Sequence, residues 1–184
     1  GAATITVNAG KATYTGAEAE VLARPVKGIT FNAAVGYVDR KYKTFMIRDA
    51  DTDTLIDVAD EARFSYSAGT TANAGVQFDT EALEVGKLSA RLDWTYRGRI
   101  YFHPLDRLNP YNRQISDGGV GRFDARVALS DVDLGRTRAT VALWGKNITN
   151  KDYLYAGIDF GSLGFAGVSY AEPRTYGVDV KFEF

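Results

Sequence analysis

The stretch LSARLDWTYR, residues 88–97, alternates between apolar and polar side chains at every position. One set of alternate positions carries leucine, alanine, leucine, tryptophan and tyrosine, and the other carries serine, arginine, aspartate, threonine and arginine. Successive side chains of a β-strand point to opposite faces, whereas a helix repeats every ~3.6 residues. The stretch therefore predicts a strand with one apolar face and one charged face.

The same period of two recurs along most of the chain. It predicts seven strands, at about 11–24, 28–42, 62–79, 87–102, 121–131, 137–155 and 173–184. Short turns alternate strictly with long connections, and the long ones are 43–61, 103–120 and 156–172. Outer-membrane barrels place short turns in the periplasm and long loops outside the cell, whereas a soluble sandwich has no reason to keep its long loops at one end.

These patterns predict an all-β, antiparallel, up-and-down transmembrane β-barrel segment, with one face towards lipid and the other towards a wet lumen. Lipid-facing side chains are predicted to include Phe64, Val76, Leu92, Trp94, Val127 and Val180. Charged side chains predicted to face the lumen, where their alternating signs allow pairing across strands, are Arg91, Asp93, Arg97, Arg99, Asp124, Arg126, Asp179, Lys181 and Glu183. Segment 137–155 carries apolar residues on both faces, so its facing is left open.

Composition and motifs exclude several classes of function. The net charge of −1 gives no basic field for nucleic acid, and the absence of cysteine excludes disulfides and thiolate metal sites. No serine-nucleophile or zinc-peptidase motif occurs, and the only histidine is His103. The acidic run 51–54 with Asp57 lacks the glycine and glutamate of an EF-hand, which favours a solvated loop. We therefore expect no enzyme activity, no cofactor and no bound metal.

Three motifs resemble those of TonB-dependent outer-membrane receptors. ALWGKNITNKDY, residues 142–153, resembles the family's penultimate strand, and PRTYGV (173–178) with VKFEF (180–184) resembles its last strand and terminal aromatic residue. Upstream, NAGKA (8–12) with EAE (18–20) is similar to a strand motif of the family, with Ala17 where valine is commoner. The resemblance covers nearly the whole chain.

The resemblance implies that residues 1–184 are the C-terminal portion of a receptor barrel of roughly 22 strands, with the plug domain outside this chain. Seven strands that end in the periplasm would begin outside the cell, so the segment would start partway through the barrel's sequence. On its own it would form an open sheet. It also implies a receptor in the outer membrane of a Gram-negative bacterium. Such a receptor imports a scarce nutrient with energy passed on by TonB. An iron–siderophore complex is the commonest substrate, and cobalamin, saccharides and other metal chelates are alternatives.

The implied partners are membrane lipid, the receptor's own plug and remaining barrel strands, the TonB complex through the N-terminal part, the barrel assembly machinery, and a siderophore or other nutrient. The assembly signal would comprise Tyr176, Gly177, Val180, Phe182 and Phe184. Aromatic and cationic content of the loops makes substrate-contact candidates of Tyr101, His103, Tyr111, Arg113 and Tyr170. Two alternative functions are a different outer-membrane barrel, such as a porin, and a soluble all-β binding module.

Overall fold

The computed structural model describes residues 10–184, except for the side chain of Ser162. Part of the motif at residues 8–12 therefore lies outside the described residues. The strands are β1 (Gly10–Val26), β2 (Ile29–Arg48), β3 (Leu55–Asp57), β4 (Thr70–Asp79), β5 (Lys87–Arg97), β6 (Val120–Asp133), β7 (Arg138–Lys146), β8 (Leu154–Phe160), β9 (Phe165–Tyr170) and β10 (Thr175–Glu183). A single 3-10 turn, Gly161–Leu163, joins β8 to β9 within the described part.

The main sheet follows the order β1-β2-β4-β5-β6-β7-β10, and every neighbouring pair along it is antiparallel. The short strand β3 pairs with the end of β2, and β8 and β9 form a separate hairpin. Among the described residues β1 and β10 do not pair with each other, so the sheet is open. The predicted all-β, antiparallel, open sheet of a barrel segment is confirmed.

Strand register separates the two faces. On β4, Val76 lies opposite Phe31 of β2 and opposite Leu92 of β5, so apolar residues form continuous rows across the sheet. The same rows extend to β7, where Leu143 pairs with Val127 on one side and Val178 on the other. This pairing settles the facing of β7, because Val141, Leu143 and Gly145 share the apolar face while Trp144 lies on the polar face.

Two glycine–aromatic pairs hold β7 and β10 together. The ring of Trp144 covers its partner Gly177, where an added Cβ would lie 2.2 Å from Trp144 Cζ2. In the next register position the ring of Tyr176 covers Gly145, where an added Cβ would lie 2.8 Å from Tyr176 Cδ1. The two pairs lie on opposite faces of the sheet, and each strand supplies one ring and one glycine. Trp144 Nε1 also donates to Asp179 Oδ1 at 3.1 Å.

Several predicted strand limits are wrong because loop packing overrides the alternation. The segment predicted as 62–79 becomes a strand only at Thr70, since Tyr66 adopts the left-handed conformation with φ of 54°. The strand predicted as 87–102 ends at Arg97, after which Ile100 and Phe102 are buried among loops. Segment 137–155 ends at Lys146, and the long connections contain β3, β8 and β9.

Phe64 was expected on the apolar face, and that expectation is wrong. Its ring stacks on Tyr42 with centroids 4.0 Å apart and planes at 4°, and it meets Tyr14 edge-on at 5.2 Å. Both tyrosines lie on the polar side of the β1–β2 pair, because Tyr14 is opposite Arg40 and Tyr42 follows two residues later. Phe64 is therefore part of the loop packing above the polar face.

Gly177→Val should destabilise the protein by about 1–3 kcal/mol, because the added side chain must displace the Trp144 ring from its partner strand. Gly167→Val in β9 is the matched control, since an added Cβ there has its nearest atom at 3.8 Å. Urea unfolding followed by tryptophan fluorescence of the purified protein measures both. Equal midpoints for the two variants would contradict this account of the β7–β10 pairing.

Candidate functional site

Most of the predicted lumen charges share the polar face of the sheet. Paired residues form rows that run from β5 through β6 and β7 to β10, and each row lies on one face. The rows on the polar face include Arg91, Asp93, Arg97, Asp124, Arg126, Asp179, Lys181 and Glu183. Arg99 lies beyond the end of β5 and donates to Ser116 Oγ at 3.2 Å. That this face lines a barrel lumen stays a prediction.

Between β5 and β6 the charges of the polar face are not paired directly with opposite charges, whereas Arg138 of β7 lies opposite Asp133 of β6 and Glu183 of β10. Arg91 lies opposite Arg126, and Asp93 lies opposite Asp124, so β5 and β6 place like charges side by side. Such pairs are destabilising unless other contacts offset them. Opposite charges instead meet along a strand, with Arg91 Nη2 at 2.5 Å from Asp93 Oδ1, or across an intervening strand, with Arg126 Nη2 at 3.5 Å from Asp179 Oδ2.

Gly75 makes room for the Arg91 side chain on the polar face. Arg91 Nη2 donates to Asn32 Oδ1 at 3.1 Å, which takes it across the whole width of β4 to β2. An added Cβ on Gly75 would lie 2.6 Å from Asp93 Oδ1 and 2.7 Å from both Arg91 Nη2 and Asn32 Oδ1. A polar network thus links three strands above a glycine.

The three long connections pack together into one loop layer, defined here as residues 43–69, 98–119 and 147–174. One apolar cluster joins Phe45 and Val58 to Leu105, and a second joins Ile100, Phe102 and Ile115 to Leu154 and Ala166. Burial of this kind contributes roughly 25 cal/mol per Å² of apolar surface, which orders the loops. The loop layer is therefore a packed structure that fixes the side chains it carries.

Asp106 is the polar centre of this loop layer. Its carboxylate accepts from Arg63 Nη2 at 3.0 Å, from Arg113 Nε at 2.7 Å and from Asn112 Nδ2 at 3.0 Å. The hydrogen bonds from Arg63, with smaller contributions from Arg113 and Asn112, hold the pKa of Asp106 well below its usual value although partial burial opposes them. Asn112 is fully buried and also holds both backbone polar groups of His103.

His103 fixes the β8–β9 hairpin to the rest of the layer. Its Nε2 accepts the backbone N–H of Asp159 at 2.9 Å, while an Asp159 carboxylate oxygen accepts the N–H of Tyr111 at 2.7 Å. Burial lowers the pKa of His103, and the nearby Asp159 partly opposes the shift. The neutral imidazole that this acceptor role requires is thus the favoured form, and protonation of Nε2 would break the contact.

The remaining substrate-contact candidates differ in how free they are. Tyr101 lies under the guanidinium of Arg63, 4.4 Å from its ring centroid, and the exposed Arg113 is paired with Asp106. Tyr111 donates its hydroxyl to the Gly164 carbonyl at 3.1 Å. Tyr170 is 69% exposed at the end of β9. Contact of these residues with a substrate stays a prediction, and Arg113 and Tyr170 are the exposed members of the set.

Sequence reasoning missed the turn after β7, although the motif at 142–153 contains it. Asn147 has a φ of 49° and Asn150 a φ of 50°, which end the strand. The Asn147 side chain accepts from the Lys151 N–H and donates to the Lys151 carbonyl, each at 2.9 Å, and its own N–H donates to Asp124 at 2.7 Å. Two asparagines three residues apart were the available signal.

Nothing in the described residues is arranged as a metal centre, since no group of three or more His, Asp or Glu side chains is placed to hold an ion. In the acidic run 51–54 the backbone turns onto the Asp49 carboxylate, and Asp57 accepts the N–H of Phe45 at 2.9 Å. These carboxylates therefore stabilise loop structure. Within residues 10–184 no helix has the length and apolar character to cross a membrane.

Asp106→Asn should loosen the loop layer at neutral pH, with amide exchange in residues 98–119 faster by about tenfold, since two charged hydrogen bonds are weakened. The folded pKa is depressed, so this stabilisation is present above the ordinary carboxyl pKa of about 4 and fades as pH falls below it. Hydrogen exchange at pH 7 and pH 3.5 should show the difference from wild type narrowing. Asp60→Asn, at an exposed aspartate, is the control. A pH-independent difference would contradict the assignment.

Comparison with known proteins places the fold. No protein-family model matches the chain. Among solved structures, the chain is similar to the crystal structure of the ferric yersiniabactin uptake receptor FyuA from Yersinia pestis. The TM-score is 0.70 and the sequence identity 19%, over 96% of this chain and 24% of that chain. The chain thus spans about a quarter of the receptor that it matches.

At this identity the likeness concerns the fold. The matched protein is an uptake receptor, so the resemblance predicted from the motifs agrees with the structure at the level of the fold. Residues 10–184 form an open antiparallel sheet with the fold of part of that uptake receptor.

Proposed function

We propose that this chain is the C-terminal barrel portion of a TonB-dependent outer-membrane receptor that imports a scarce nutrient, an iron–siderophore complex. The observation that carries the proposal is the open two-faced sheet that superposes on a siderophore-uptake receptor over 96% of its length. The chain would supply barrel wall and three extracellular loops. The plug, the remaining strands and the contact with TonB would come from other parts of the receptor.

The apolar face supports a position in lipid. Large aliphatic side chains on it are left uncovered in the described sheet, with exposed fractions of 42% for Val76, 39% for Leu92, 47% for Val127 and 55% for Val180. Soluble monomers rarely leave so continuous an apolar surface open to water. Lipid on this face and a plug on the charged face would cover both sides of the sheet.

Aromatic side chains border this apolar face at both ends of the strands. Trp94 stacks on Tyr96 with centroids 6.0 Å apart, and it lies opposite Phe123, all near the ends that lead into long loops. Phe78 and Phe182 lie towards the ends that lead away from them. Barrels place amphipathic rings at both membrane interfaces, so the distribution supports an outer-membrane location.

The final strand supports recognition by the barrel assembly machinery. Tyr176, Val180 and Phe182 of β10 are all more than half exposed on the apolar face, and Phe184 follows them fully exposed. The Trp144 ring covers Gly177, so Gly177 contributes to the pairing of β7 with β10. The exposed alternate side chains of the last strand are what an assembly factor would contact.

Leu92→Arg should impair assembly in the membrane, because a lipid-facing charge near the midplane costs about 2–4 kcal/mol. Asn73→Arg is the matched control, since Asn73 lies on the polar face, one strand away in register with Thr95. The amount of folded, heat-modifiable receptor in outer-membrane fractions measures both. Equal folding of the two variants would contradict the lipid-facing assignment, and a detergent-independent, soluble wild-type protein would favour the soluble binding module.

Deletion of the gene should abolish uptake of at least one radiolabelled ferric siderophore under iron limitation, and the intact gene should restore it. A protonophore should stop that uptake in the complemented strain, because transport through this family depends on energy from the inner membrane. Uptake that persists with the protonophore would favour a porin. Unchanged uptake of every ferric siderophore, with loss of cobalamin or saccharide uptake instead, would reject the iron assignment alone.

A further inference from the structure

The polar face carries a cleft of about 150 Å³ where β5 and β6 reach the loop layer. Its lining includes Thr95, Arg97, Arg122 and Tyr153. A water molecule occupies about 30 Å³ in the liquid, so the cleft holds several waters or one small oxyanion. The two arginines come from neighbouring strands, and the tyrosine comes from the turn after β7.

The two arginines differ in how their charge is balanced. Arg97 is paired with Asp117, whose side chain is only 11% exposed. Arg122 has no carboxylate within 4.0 Å among residues 10–184, and Asp124 on the same face accepts the N–H of Asn147. The cleft therefore holds one uncompensated cation, and an uncompensated, half-buried charge favours binding of a counter-ion.

The hydrogen-bonding capacity of these arginines is also not met by the protein. Arg122 donates from Nε to Thr95 Oγ1 at 3.1 Å and from Nη1 to the Tyr153 hydroxyl at 2.5 Å, both neutral acceptors. A guanidinium carries five N–H groups in a fork that matches an oxyanion. Arg97 Nε is buried and has no acceptor in the described chain. Both guanidinium groups lie near the Tyr153 ring, at 5.5 Å for Arg122 and 6.0 Å for Arg97.

We propose that this cleft is an oxyanion-binding site, for a carboxylate or phosphate group, in which Arg122 is the principal cation. The Tyr153 hydroxyl accepts a hydrogen bond from Arg122 Nη1 when the site is empty, and an anion replaces it as the acceptor when it binds. Thr95 holds Nε and so orients the guanidinium towards the cleft. The site goes beyond the proposed uptake function, because it depends only on the cleft and not on the identity of a transported solute.

Binding of inorganic phosphate to the full-length receptor in detergent tests the proposal, by calorimetry at constant ionic strength. We expect Arg122→Gln to weaken phosphate binding by at least about tenfold, as loss of the charge-assisted contacts requires. Arg138→Gln should leave it unchanged, because Arg138 lies at the far end of β7 and is 69% exposed. Citrate in a parallel titration distinguishes a carboxylate site from a phosphate site by which probe binds more tightly.

Tyr153→Phe separates binding from a merely structural effect. It removes the hydroxyl that competes for Arg122 and keeps the ring, so phosphate should bind more tightly by about two- to tenfold. Weaker or unchanged binding in this variant would overturn the role of Tyr153. Absence of phosphate and citrate binding to wild type, or equal binding by Arg122→Gln, would overturn the site. Loss of siderophore uptake with intact phosphate binding, or the reverse, distinguishes failure of the proposed function from failure of this site.

Discussion

Register among the seven main strands separates an apolar face from a charged face, and the other features of the molecule depend on that separation. A shift of one residue in any pair would move every side chain of that strand to the opposite face. The β7–β10 pair is fixed against such a shift, because Trp144 needs Gly177 opposite it and Tyr176 needs Gly145. Each ring would otherwise meet a side chain.

The same register creates the electrostatic problem of the polar face. It sets Arg91 against Arg126 and Asp93 against Asp124, so none of these four charges is balanced by the residue directly opposite. The side chains solve this by length: Arg91 turns along its own strand to Asp93, and Arg126 reaches past β7 to Asp179. Glycines at positions 75 and 177 provide the space for these contacts and for the Trp144 ring. Small residues on the polar face are therefore part of its charge balance.

The alternation of apolar and polar residues predicted the main sheet, because the environment of each side chain there depends on the face of its own strand. Residues 88–97 are an example, since β5 contains the whole alternating run and begins at the predicted residue 87, although it ends at Arg97 and not at residue 102. It failed where distant segments determine the structure. Nothing local distinguishes Phe64 from a strand residue, yet its ring stacks on Tyr42, which lies 22 positions earlier in the chain.

Contacts between distant parts of the chain also limited how much of the candidate site could be predicted from the sequence. The motif at 142–153 and the polar charges were readable, whereas the Asp106 cluster depends on Arg63, 43 residues away, which periodicity cannot reveal. Similarly, most of the β8–β9 hairpin was expected to be a loop, because it falls within the long connection predicted at 156–172. Packing against Phe102 and the bond from Asp159 N–H to His103 hold this strand pair on the loop layer.

The turn at Asn147 connects the sheet to the loop layer and explains why a cleft forms at that boundary. Asn147 ends β7 in the left-handed conformation, binds the backbone of Lys151 and holds Asp124 through its own N–H. The same turn brings Tyr153 back over β6, where its hydroxyl accepts a hydrogen bond from the Arg122 guanidinium. Arg122 thus receives a neutral hydroxyl partner from the turn that Asn147 begins. In the proposed site, an anion that enters the cleft replaces a neutral tyrosine hydroxyl at Arg122 Nη1 and not a carboxylate.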